Sequence, residues 1–149
     1  MSPLDLQNYI HQHIPLTQAM GIAVHLGTSE KVILWAPLTP NLNHKKTAFG
    51  VSIVGLCTVS AWALLFLFCK EAGARTEIVI QDSRMRYLRP VHNDFVATSL
   101  APKPASQTEF IETLKEKGKT TIRLRSVLSE ENSDDMAAIF DGVFVAQQV

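Results

Sequence analysis

The chain has 149 residues, enough for one domain, 1–149, with a core of its own. Fourteen Lys and Arg balance fourteen Asp and Glu, which argues against the basic excess of a nucleic-acid-binding surface. Ser2–His13 is polar and amphipathic, unlike a signal peptide, and Cys57 and Cys69 lie in the most apolar stretch, as reduced core residues of a cytoplasmic protein would.

In chain order, Leu4, Ile10 and Ile14 give Leu4–Ile14 helical spacing, which Pro15 ends. Gly21–Leu26 and Lys31–Leu38 read as strands parted by Gly27-Thr28-Ser29, and a polar loop follows over Thr39–Lys46. Gly50–Cys69 then runs without one charged residue. As a helix it spans about 30 Å, enough to cross a bilayer. However, Ser52, Gly55, Thr58 and Ser60 dilute it, and Lys45 and Lys46 are matched by Lys70, which removes any orienting bias. Thr76–Leu88 and Phe95–Ala101 read as strands and Ser106–Lys117 as an amphipathic helix. Thr120–Leu128 alternates, with Ile122, Leu124 and Leu128 on one face and Arg123 and Arg125 on the other; Met136–Val145 is the last strand. These half-buried strands need an apolar partner, and the long helix is the only large one. The expectation is an α+β domain with that helix inside an antiparallel sheet and no membrane contact.

The chemistry concentrates where the polar loop turns into this helix, Asn43-His44-Lys45-Lys46-Thr47-Ala48-Phe49-Gly50-Val51. The first N–H groups of a helix lack intrahelical partners and carry partial positive charge. Gly50 leaves room for a ligand to approach them, so they could hold the oxyanion of a thioester under attack. The plainer alternative is that Thr47 caps the helix and Gly50 eases the turn.

The stretch resembles the hotdog-fold thioesterases, in which an Asn-containing loop leads to a His-Gly-Gly turn at the start of the central helix. Asn43 matches the Asn and Gly50 the first Gly, Phe49 stands in the place of the His, and Val51 replaces the second Gly. Met20-Gly21, Thr47-Ala48-Phe49-Gly50, the helix with Trp62, and Arg86-Tyr87-Leu88-Arg89-Pro90-Val91 together resemble the putative thioesterase domain also found C-terminal to N-acetyltransferase domains. The resemblance implies a hotdog fold, acyl-CoA or acyl-carrier-protein thioesters as substrates, and a homodimer or dimer of dimers with its sites between subunits.

Many such enzymes carry an Asp or Glu two turns into the helix; this helix offers Thr58 and Ser60 instead. A hydroxyl can position water but is a poor base at neutral pH. Water would then be oriented by Asn43, Thr58 or Ser60, or by a carboxylate from elsewhere, with Asp82 on the strand after the helix as the candidate. Candidate substrate contacts are His44, Thr47 and Trp62, with Arg84, Arg86 and Arg89 for the phosphates of coenzyme A. A solvated sheet face accounts equally well for the arginines, and core packing for Trp62. The histidines lack metal-ligand spacing, no Gly-x-Ser-x-Gly elbow occurs, and no cofactor or metal is called for. The leading expectation is therefore a thioesterase. A non-catalytic acyl-binding hotdog domain is the rival, and Phe49 in place of the His argues against a dehydratase.

Overall fold

A computed structural model describes residues 1–149. The first helix, α1 (Pro3–His13), starts at a capping box in which Ser2 and Asp5 satisfy each other's backbone N–H groups. A four-residue helix, α2 (Leu16–Ala19), follows and delays the first strand, β1, to Ala23–Gly27. The second strand, β2 (Lys31–Ala36), stops short of the expected Leu38 because Pro37 has no N–H for the ladder. After a 3-10 turn at Thr39–Asn41 comes α3 (Gly50–Glu71), then β3 (Thr76–Tyr87), β4 (Phe95–Leu100), α4 (Pro104–Lys117), β5 (Lys119–Glu130) and β6 (Met136–Gln148).

Six strands form one antiparallel sheet in the order β1-β2-β4-β5-β6-β3. Its concave face wraps α3, which touches every strand. Only Val51, Lys70 and Glu71 of the helix are exposed. By length and composition α3 could cross a membrane, with a mean hydropathy of 2.2 over its best window; here it fills the core of a sheet. This is the hotdog arrangement, as the resemblance implied.

The inward-facing residues are those the alternation marks. Leu124 and Leu128 of β5 and Phe140, Phe144 and Ala146 of β6 are buried, while Arg123 and Arg125 face outward. Cys57 and Cys69 are buried free thiols. Burial pushes the Cys57 thiol up to about 12 and raises that of Cys69, so both stay protonated and unreactive at neutral pH.

The core also holds a chain of hydroxyls. Ser60 on α3 donates to Ala97 O of β4 (3.3 Å) and pairs with Ser99 (2.9 Å); Ser99 meets Ser126 of β5, which donates back to Cys57 O (3.0 Å). All three serines are fully buried and satisfied. Ser60 is therefore no water-positioning group at the helix start. It ties the helix to the sheet.

The strand β3 is one edge of the sheet and β1 the other. None of the 12 residues of β3 is buried, and no strand pairs with its outer edge. A long open edge is usually blunted or paired.

Candidate active site

The start of α3 is built by the loop before it. Leu42 and Ala48 form a bridge, and Lys46 takes a left-handed backbone (φ 62°) to close the turn between them. Asn43 braces this turn. Its Oδ1 accepts from Lys45 N (2.9 Å) and Thr47 N (3.0 Å), and its Nδ2 donates to Thr47 Oγ1 (2.8 Å). The side chain expected to orient water is thus committed to its own loop, as an Asx turn commits it. His44 stands exposed on the same loop. Ala48 N donates to Val91 O (2.9 Å) and Phe49 N to Asn41 O (2.7 Å), which fixes the entry into the helix.

The residue that precedes the first turn is Phe49, in extended conformation and with no side-chain cap. Thr47 does not cap the helix, because its hydroxyl faces Asn43 two residues upstream of the cap position. The N–H groups of Gly50, Val51 and Ser52 consequently find no acceptor in the chain, and the first bond of the helix is Ile53 N to Phe49 O (3.1 Å). Three unpartnered donors at a helix start make a site for negative charge.

Tyr87, at the end of β3, lies over this turn. Its hydroxyl donates to Gly50 O at 3.2 Å, and its ring would be 3.6 Å from a Cβ on Gly50. Burial raises its pKa, so it stays a neutral phenol. The sequence contained Tyr87 within a quoted motif, but only the register shows its reach: it pairs with Ala138, whose side chain faces inward.

Down one side of α3 from Gly50, Val54, Thr58, Trp62 and Phe66 recur every four residues, and all are half-buried. The lower part of this stripe floors a groove of about 650 Å³, walled by Tyr9 and His13 of α1, by Ile14 just after it, and by Thr76–Ile80 of β3. Its surface is mainly apolar. Tyr9 stacks on His13 (3.9 Å) and on Phe66 (4.8 Å), Phe66 stacks on Trp62 (5.2 Å), and Trp62 Nε1 donates to Ile78 O (3.2 Å). The Thr58 hydroxyl donates to Val54 O (2.8 Å) and lines the groove entrance. A second depression, about 590 Å³ at the other end of α3, is lined by Glu30, Glu71 and Glu112 and is unsuited to an anionic ligand.

The remaining candidates lie elsewhere. Asp82 pairs with Val143, Arg84 with Asp141 and Arg86 with Ile139. Residues paired across strands share a face, and these share the convex one, opposite α3. Asp82 therefore cannot reach the Gly50 turn of its own chain, and no carboxylate replaces it there. Arg84 flanks Asp141, whose carboxyl is held low by its hydrogen bond with Arg125 (2.8 Å). Arg89 pairs with Asp135 (3.3 Å) on the far loop. One chain thus brings together Gly50 and Tyr87 at the helix start and Thr58 and Trp62 in the groove. Ser60, Asp82 and the three arginines lie outside both.

Residues 4–148 match the family described as "Putative thioesterase (yiiD_Cterm)". Among solved structures, a protein of unknown function from Chlorobaculum tepidum is 25% identical with a TM-score of 0.92, over 99% of this chain and 94% of that one. A putative thioesterase from Shewanella oneidensis is 27% identical with a TM-score of 0.85, over 97% and 96%. A probable thioesterase from Pseudomonas aeruginosa, at 17% identity and a TM-score of 0.83 over 100% and 97%, shares the fold.

Proposed function

The chain belongs to this putative thioesterase family, and we propose that it hydrolyses acyl thioesters of coenzyme A or of acyl carrier protein at the start of α3. The observation that carries the reading is the trio of unpartnered N–H groups on Gly50, Val51 and Ser52, at the head of a half-buried stripe leading to an apolar groove. The thioester oxygen, which gains negative charge as water attacks, would sit on these donors. Thr58 and Trp62 would contact the chain of the substrate. The buried, protonated thiols suit a cytoplasmic protein.

The β3 edge supports a dimer. In one chain the Gly50–Tyr87 turn and the Thr76 end of the groove lie at opposite ends of β3, about 36 Å apart at strand rise. Antiparallel pairing of β3 with a second copy about its midpoint would put Tyr87 beside the partner's Thr76. The donors of one copy would then face the groove of the other. The exposed Val79 and Ile80 of that edge would be covered as well. Light scattering at micromolar concentration should return at least twice the 16.5 kDa chain mass; a monomer would remove the composite site.

Tyr87 donates to the carbonyl of the peptide whose N–H belongs to Val51, so it polarises one of the three donors. Tyr87→Phe removes one hydrogen bond, about 1 kcal/mol, and should lower kcat about fivefold with little change in KM and a melting temperature lower by only about 3 °C.

A second reading, a non-catalytic acyl-binding domain, draws on α3 having no carboxylate before Glu71 at its far end and on Asp82 facing away. A panel of acyl-CoA substrates of graded chain length, followed with a thiol-reactive dye, separates the two. Release of free thiol supports hydrolysis; tight acyl-CoA binding with no thiol release on any substrate supports the binding domain.

A further inference from the structure

The aromatic groove does not end at Phe66. Tyr9, Phe66 and Thr76 form a waist that it shares with a neighbouring pocket of about 440 Å³, which carries Lys70 and Arg75 and is closed on one side by Val149, whose N–H donates to Arg75 O (3.1 Å). Both cations are exposed, and the two ion pairs of the chain, Arg89–Asp135 and Arg125–Asp141, involve neither. Lys70 lies one helical turn beyond Phe66, and a helical side chain leans toward the N-terminus, here toward the waist. Asp5, the acid on α1 that feels the charge of Lys70, is bound to Ser2. Glu77 is the one carboxylate on the groove wall; it pairs with Gln147 as an outward-facing strand position. An apolar channel that opens onto two uncommitted cations is complementary to a chain with one anionic end.

From this juxtaposition we propose that the groove binds a linear fatty acid. Its carboxylate would lie between Lys70 and Arg75, and its tail would run past Tyr9 and Phe66 toward Trp62 and Thr58. Thr58 is about 18 Å from Lys70 along the helix axis, and the reach of the lysine side chain shortens this to about 12–18 Å. At about 1.25 Å per methylene, the advance of an extended chain of ~1.5 Å bonds, that span takes roughly ten to fourteen carbons. The inference names a ligand for the groove that the thioesterase reading gives to the acyl chain, but it stands on binding alone.

Calorimetric titration of the full chain with hexanoate, decanoate and dodecanoate below their micelle concentrations tests it, with 1-dodecanol as the uncharged control. Binding should be saturable and should tighten about fourfold per methylene up to about twelve carbons. The double variant Lys70→Gln/Arg75→Gln, altered only at the surface, should bind dodecanoate about tenfold more weakly and 1-dodecanol as well as before. No saturable dodecanoate binding overturns the proposal, and so does a double variant that binds dodecanoate like the native protein or loses acid and alcohol equally. Thiol release in the acyl-CoA panel is scored separately. An active enzyme that fails this titration would refute the fatty-acid site alone, and an inactive protein that passes it would refute the hydrolase alone.

Discussion

Gly50→Val should lower kcat by roughly a hundred- to a thousandfold, the cost of losing one oxyanion donor, while the melting temperature holds or rises slightly. A Cβ at this position would have Tyr87 as its nearest neighbour, at 3.5 Å from the hydroxyl and 3.6 Å from the ring, which is ordinary contact. Alanine should therefore fit and keep most of the activity. Valine adds two further carbons with little freedom to rotate on a helix, and they would stand where the thioester oxygen approaches the N–H groups. Glycine is the poorer helix former of the two, so a loss of activity could not be ascribed to loss of the fold. A Gly50→Val protein that melts normally and turns over near the native rate would show that the carbonyl binds elsewhere.

Gly142→Ala should destabilise the protein by about 1–3 kcal/mol, a drop of roughly 3–10 °C in melting temperature. Replacing a strand glycine with alanine ordinarily stabilises, because it restricts the unfolded chain, so the sign is diagnostic. A Cβ on Gly142 would sit 2.7 Å from Phe140 Cζ and 3.0 Å from Phe144 Cε2. Both phenylalanines are fully buried, and ring carbons in a close-packed core cannot turn aside as a flexible chain end can. An unchanged or higher melting temperature would mean that the two rings repack without cost.

The fold was legible because its two periodicities are strong. Twenty uncharged residues ending at Cys69 could only be a core helix or a membrane span, and Thr120–Leu128 alternates with its arginines all on one side. Edges were less legible. Lys31–Ala36 ends at a proline that the expectation had run through, and the short helix at Leu16 left no periodic trace. The site was half legible. Gly50 at an uncapped helix start follows from local sequence and end effects, whereas Trp62, which core packing would explain equally well from sequence, is half-buried and lines the groove. Asn43, Ser60 and Asp82 have side chains able to hold or activate water. Where such side chains point depends on loop closure, helix rotation and strand register, which a sequence states weakly. Tyr87, Tyr9 and His13 were missed for the same reason, since each meets the site across a tertiary contact.

A helix apolar on all sides gives hydrophobicity little with which to choose its azimuth, since many rotations about its axis would bury comparable area. Ser60 removes that degeneracy. Its hydroxyl has partners only where α3 presents it to Ala97 and Ser99, and any other clocking of the cylinder would strand that buried hydroxyl, at about 1–3 kcal/mol, and take the Cys57 carbonyl away from Ser126. Successive residues turn by about 100°, so positions two before and two after Ser60 point about 160° away from it. Those positions are Thr58 and Trp62. The angular setting that turns their side chains to the groove is thus fixed from the opposite flank of the helix, by serines buried in the core.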